Sequence, residues 1–240
     1  GAGIARNFLI EKFYNCRWVV ERAARDYAMR LDVTKLKAVS RSLACAIGNV
    51  KEAASLDEML GIEGKAASAY FSVLDDLILQ QKEHFCFDGR NRRPPLDRVN
   101  AMLSFAYSLL SHDCASALES VGLDSYVGFF HRDRPGRMSL ALDIMEELRP
   151  CMADRFVLTL VNNRMMNPND FLTQESGAVL LTDDGRKKFL KAWQERKRDT
   201  LTHPYLNEKM SWGMVPYVQA LLLARYIRGD LDAYPPFLWK

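Results

Sequence analysis

No apolar run in the chain approaches the ~20 residues that a membrane-spanning helix needs. The N-terminus also lacks the basic-then-apolar leader of a secreted protein, so the sequence reads as cytoplasmic. Cysteine is sparse: five residues, Cys16, Cys45, Cys86, Cys114 and Cys151, are odd in number, scattered and never spaced C-x-x-C. That pattern excludes a disulfide framework and a thiolate zinc site, and the five read as small core residues. There is no internal repeat and no low-complexity tract. Charge of one sign is lacking too, since 33 basic against 30 acidic side chains leave +3, too little alone to point to nucleic acid. The sequence opens on Gly1-Ala2-Gly3 without an initiator Met, which reads as a cloning scar or a cut point.

What is there is globular: 240 residues at 48% hydrophobic can bury one sizeable core, read as a single domain over 1–240. Apolar spacing of three and four predicts helices over about 4–29, 34–59, 62–83, 96–119, 139–163, 184–198 and 212–228. One segment departs from it, where Phe171-Leu172-Thr173 and Ala178-Val179-Leu180-Leu181 flank a polar turn and predict a small hairpin over about 171–181. The tail over 230–240 cannot stay helical through Pro235 and Pro236, and Tyr234, Phe237 and Trp239 imply that it docks on the body. The fold class is therefore mainly α, a multi-helix domain with one small β-hairpin.

The chemistry candidates begin with Glu63, which shares a helical stripe with Ala66, Ala67, Tyr70, Val73, Leu74, Leu77 and Ile78. A carboxylate there needs a cation, a metal or a proton, unless it lies in the first helical turn and faces water near the free N–H groups. His131 sits where the apolar Phe129-Phe130 runs into the basic Arg132 to Arg137 loop. Ser139 then caps a helix whose Ala141, Met145, Leu148, Met152 and Phe156 form one face, with Asp143, Glu146 and Glu147 on the other. Three crowded acids read either as a divalent-cation site or as an ordinary acidic surface.

Basic residues cluster in three places: Arg90, Arg92, Arg93 and Arg98 around a Pro-Pro loop; Arg132, Arg134 and Arg137 after His131; and Arg186 to Arg198 along one helix. Each is a solvated face or part of a nucleic-acid groove, to which Asn100, Ser104, Tyr107 and Ser108 would add phosphate-reaching groups. Weaker hints are His203, Gln219, Arg225 and Arg228.

Taken in order, these segments resemble the family of CRISPR-associated protein one, the spacer-acquisition integrase, in its subtype I-C form. Gly61-Ile62-Glu63-Gly64-Lys65-Ala66-Ala67 is similar to the family's glutamate motif. Gly128-Phe129-Phe130-His131, Arg134-Pro135-Gly136-Arg137 and Ser139 through Pro150 are similar to its histidine motif and acidic helix. Arg93-Pro94-Pro95, Asn100-Ala101 and Tyr107 resemble the intervening segment, and Arg225 to Asp230 with Tyr234 to Lys240 the end.

The resemblance implies a catalytic divalent-metal site on Glu63, His131 and a second acid, which spacing gives as Glu146 with Glu147 and Asp143 as alternatives. Asp143 otherwise serves as an auxiliary acid, and Mg²⁺ or Mn²⁺ is the hard ion suited to those donors. It also implies DNA contacts at Arg92, Arg93, Asn100, Arg134, Arg137, Lys187, Lys188 and Arg225. The implied reaction is integration of prespacers into the CRISPR repeat by 3′-hydroxyl transesterification, with endonuclease activity beside it. The implied partners are double-stranded DNA with 3′-hydroxyl ends, repeat DNA, CRISPR-associated protein two (a small ferredoxin-like dimer) and a second copy of the chain. Family members normally begin with a β-rich domain that is absent here. Two rivals stand beside the integrase: a general metal-dependent nuclease, and a non-catalytic helical DNA-binding or assembly module.

Overall fold

The computed structural model describes residues 2–131 and 135–240. Eight α-helices are built from the stretches with helical spacing. The first three are α1 (Ala2–Asp26), α2 (Val33–Glu52) and α3 (Leu56–Phe71). After a long loop come α4 (Arg98–Ser120), α5 (Ser139–Leu148), α6 (Arg155–Asn162), α7 (Asp183–Arg198) and α8 (Val215–Ile227). No helix among the described residues is long and apolar enough to cross a membrane.

The helix expected over 34–59 is two helices. Ser55 caps α3 by accepting from the Glu58 backbone N–H at 3.1 Å, while the Glu58 carboxylate accepts from the Ala54 N–H at 2.8 Å. Glu63 therefore lies well inside α3, and the first-turn account of its charge fails. The expected helix over 139–163 runs without a gap although it contains Pro150, because Arg149–Asp154 widen into a π-helical turn between α5 and α6. Ser139 is the first residue of α5 rather than its cap, and the Leu140 and Ala141 N–H groups donate to the Ser125 carbonyl.

The hairpin expected near 171–181 is present, β1 (Phe171–Thr173) pairing antiparallel with β2 (Val179–Leu181). A second hairpin, β3 (Thr200–Thr202) with β4 (Lys209–Ser211), corrects the expectation of one. Its strands are three residues long and polar, too short to show alternation.

α5 is the axis of the molecule, packed by α1 on one side and α4 on the other, so nine of its ten residues are buried. The acidic-surface reading of this helix is thereby overturned: Asp143 and Glu147 are 0% exposed and Glu146 3%. The tail docks as expected, with Tyr234, Phe237 and Trp239 buried. The Asn15 side chain holds it, donating to the Phe237 carbonyl at 2.9 Å and accepting from the Trp239 N–H at 2.9 Å. Of the cysteines, Cys16, Cys114 and Cys151 are core residues, whereas Cys45 and Cys86 are exposed.

Candidate active site

Three separate elements bring Glu63, His131 and Glu146 together at one cleft of about 1170 Å³: Glu63 and His131 line it, and the buried Glu146 contacts the lining residues Lys12, His131 and Arg149. Glu63 comes from α3, His131 from the loop before α5, and Glu146 from α5 itself. Lys12 of α1 lies between the two carboxylates, its Nζ 2.6 Å from Glu63 Oε1 and 2.7 Å from Glu146 Oε2. His131 Nε2 stands 3.6 Å from Glu146 Oε1, and an Arg149 guanidinium nitrogen 3.3 Å from that same oxygen. Burial alone would raise the Glu146 carboxyl, but Arg149, then Lys12 and His131, outweigh it and hold the group down at about 2. Lys12 is held above its usual range by Glu146 and then Glu63, against the opposing pull of burial.

Asp143 does a different job. Its buried carboxylate accepts the backbone N–H groups of Phe129, Phe130 and His131, the last two at 2.9 and 2.8 Å, and His131 Nδ1 at 2.6 Å. An acceptor that close places the imidazole proton on Nδ1 and leaves Nε2 to face the cleft. The loop comes so near α5 that a Cβ at Gly128 would meet Ser139 Cβ at 2.7 Å and Asp143 Oδ2 at 2.9 Å, so the approach requires glycine. Glu147, one residue past Glu146, turns away from the cleft. It accepts from the Tyr234 hydroxyl, from Gln219 Nε2 at 3.1 Å and from the Phe237 N–H at 3.2 Å, and so anchors the tail. His203 belongs to this buried network, donating from Nε2 to Gln219 Oε1 at 2.7 Å, and is not part of the cleft.

Arg90, Arg92, Arg93 and Arg137 line the same cleft as Glu63 and His131, which joins residues of two of the three basic clusters to them. Arg149 and Arg90 both stack on Tyr107, 4.5 and 5.2 Å from its ring centre. Asn100 does not reach this surface. It is fully buried, with its amide nitrogen bonded to the Gly89 carbonyl and Asp97 and its oxygen to Arg90 and the Asn91 N–H. Lys188 is held by Asp170 at 2.7 Å, Lys197 by Asp113 and Arg196 by Asp199, which withdraws much of the α7 cluster into internal pairs. Lys187 and Arg225 are exposed but do not line the cleft, and Arg134 lies outside the described residues.

Lys12 and Arg149 were missed by pattern reading. Lys12 was detectable, because Phe8 and Cys16 flank it one turn away on either side and a lysine there interrupts an apolar stripe. Asp154, in the π turn, carried no pattern signal. It accepts from Tyr70 at 2.8 Å and from Tyr107, and burial raises it to about 6 despite those bonds.

Among the described residues no group of three or more His, Cys, Asp or Glu stands together as a metal cluster, the space between the carboxylates being taken by Lys12. The donor chemistry nevertheless fits a hard divalent ion. The two carboxylates already share a positive charge, Glu146 Oε2 has no aligned hydrogen bond, and a single ion with bonds of about 2.0–2.2 Å spans a 3.6 Å imidazole–carboxylate gap.

The family model described as CRISPR associated protein Cas1 matches residues 1–195. A curated relative from Chlorobaculum tepidum, a CRISPR-associated endonuclease Cas1, is 51% identical over 239 residues, covering 100% of this chain and 70% of its own length. The endonuclease Cas1 of Leptospira interrogans is 46% identical over 237 residues, covering 99% of this chain and 93% of its own. Among solved structures, a casposase bound to integration product superposes with a TM-score of 0.84 at 27% identity, over 99% of this chain and 63% of that one. With a family match and close relatives running through the segments that build the cleft, the chain belongs to the CRISPR-associated Cas1 endonuclease and integrase family.

Proposed function

We propose that the cleft is the divalent-metal centre of a CRISPR adaptation integrase, which joins the 3′-hydroxyl end of a prespacer to repeat DNA by transesterification and also cleaves DNA. The observation that supports this reading is the approach of three side chains from distant segments at a basic cleft, Glu63 and His131 in its lining and Glu146 against the lining residues Lys12 and His131. The ion, Mg²⁺ or Mn²⁺, would be held by those three side chains; when bound it screens phosphate charge, favours ionisation of the attacking hydroxyl and stabilises the leaving oxygen. Asp143 keeps the His131 proton on Nδ1, so that Nε2 is presented as a lone pair. Arg149, locked on Tyr107, and the wall arginines hold phosphates on either side of the reacting one. The casposase relative, bound to an integration product, supports strand joining as the reaction. Partners in this reading are double-stranded DNA with 3′-hydroxyl ends, repeat DNA, the small dimeric CRISPR-associated protein two and a second copy of the chain, all in the cytoplasm.

One observation favours the rival, non-catalytic module: Lys12 already compensates both carboxylates, so the pair is electrically satisfied without an ion. The readings separate in a DNA cleavage and strand-joining assay on the intact protein. Glu63→Gln, His131→Ala and Glu146→Gln should each lower the rate by more than about a hundredfold, and chelation should abolish it. Full activity in all three variants, or in EDTA, refutes the metal centre and leaves the silent module.

A further inference from the structure

Lys12 is only 6% exposed, on the core face of α1, where an ammonium is costly unless it is paired. Its partners, at 2.6 and 2.7 Å, are the same two carboxylates assigned above to a divalent ion. The ammonium and the ion therefore compete for one pair of oxygens. We propose that Lys12 is a tethered cation that keeps Glu63 and Glu146 together in the metal-free protein and leaves the pair when a divalent ion enters. This rests on the reading of Glu63, His131 and Glu146 as metal donors.

The physical case has three steps. Two carboxylates converging in a largely buried site repel, and without a counter-charge they separate or take up a proton, either of which spoils a metal site. One ammonium removes that repulsion and preserves the spacing. It is nevertheless a weaker partner than a doubly charged ion, and its flexible four-carbon stem lets the charge move while the helix stays in place. Space for that movement exists, because Lys12 lines the cleft beside Arg149. There the displaced ammonium faces the phosphate-holding wall, so bound DNA gives it a new partner. Metal and DNA should then each strengthen the binding of the other.

The test measures Mn²⁺ binding at fixed pH without DNA, from the electron paramagnetic resonance signal of the free ion, in the wild-type chain, Lys12→Met and Lys12→Gln. Removing the competitor should tighten Mn²⁺ binding by about tenfold in both variants. Both should also melt lower than wild type in EDTA and recover with Mn²⁺. Binding equal to or weaker than wild type overturns the proposal and makes Lys12 a structural pillar. A wild-type chain that binds no Mn²⁺ overturns the metal reading itself, and the proposal with it. Should the variants fail to fold, the wild-type protein carrying ¹⁵N-lysine decides. Mg²⁺ should move the Lys12 Nζ resonance, identified with Lys12→Arg, towards those of solvated lysines, and a resonance unmoved by saturating Mg²⁺ refutes displacement.

Discussion

Replacing Asp143 with Asn changes one atom and should cost both stability and activity. The carboxylate is fully buried and accepts from four donors: the N–H groups of Phe129, Phe130 and His131, and His131 Nδ1. An amide keeps one acceptor oxygen and turns an NH₂ towards donors, so at least two of the four lose their acceptor. A hydrogen bond to a charged group contributes about 1.5–3 kcal/mol, which makes the expected loss about 3–6 kcal/mol and the fall in Tm on the order of 10 °C for a chain of this size. Below that transition the loop is still folded, but the imidazole is no longer fixed, and DNA cleavage should fall about 10- to 100-fold. His131→Ala is the control, because it removes the imidazole while the three backbone donors keep their acceptor. It should abolish cleavage and shift Tm by no more than about 3 °C. Paired thermal unfolding, followed by circular dichroism, and cleavage assays at 20 °C read both effects. An Asp143→Asn protein that melts within about 2 °C of wild type refutes the anchoring role. Loss of cleavage with stability intact would instead make Asp143 a direct participant in the chemistry.

Gly128→Ala should destabilise by about 1–3 kcal/mol and lower cleavage, since its Cβ lands 2.7 Å from Ser139 Cβ and pushes the histidine loop off α5; unchanged melting and activity would refute the close-approach argument. Charge reversal separates the basic surfaces: Arg92→Glu, Arg93→Glu or Arg137→Glu should weaken DNA binding by about tenfold in low salt, and Lys187→Glu much less. Equal losses at both places would move the DNA path onto α7. Asp154 supplies a pH test. Its folded value of about 6 lies above the ordinary 3.8, so its contribution to stability is full below about pH 3.8 and is lost as pH rises through 6. Between pH 4.5 and 7 the loss amounts to about 2 kcal/mol, and Asp154→Asn should lack it. Glu146 acts in the opposite sense at lower pH, giving stability above its ordinary 4.5 that disappears towards its folded value of about 2. Parallel urea stabilities of wild type and Asp154→Asn across pH 4.5–7 would refute the raised Asp154 carboxyl and show that its tyrosine bonds and nearby cations offset burial.

The helices were legible because one face of each meets the core and the other meets water, a contrast that apolar spacing records. Boundaries were less so. The gap between α2 and α3 rests on the local Ser55–Glu58 exchange of hydrogen bonds, which interrupts a hydrophobic pattern that itself runs on. Apolar spacing was the better guide at Pro150, where the expected helix over 139–163 runs on from Ser139 to Asn162: a widened turn absorbs the proline. The second hairpin left no trace in hydropathy. It is held by backbone pairing such as that of the His203 N–H with the Glu208 carbonyl, which depends little on side-chain type.

The site was legible where a charge interrupts an apolar stripe, and illegible where the helix has no solvent face to contrast with. Glu63 on α3 and Lys12 on α1 both break such stripes. Read as a pair, they would have predicted their own contact, because a buried ammonium needs an opposite charge beside it and Glu63, a quarter exposed at the cleft, supplies one. On α5 the rule fails, since α1 and α4 both pack on it and sorting residues into inner and outer faces groups Glu147, which anchors the tail, with the two acids that flank His131. The 100° step of the helix then does what composition cannot reveal. Glu146 points to Lys12 and the cleft, while Glu147, one step around, points to Gln219 and the tail. Asp143, a turn earlier, meets the histidine loop. Exchanging the partners of Glu146 and Glu147 would require rotating a helix packed by α1 and α4, so among the three acids Glu146 is the one that shares Lys12 with Glu63.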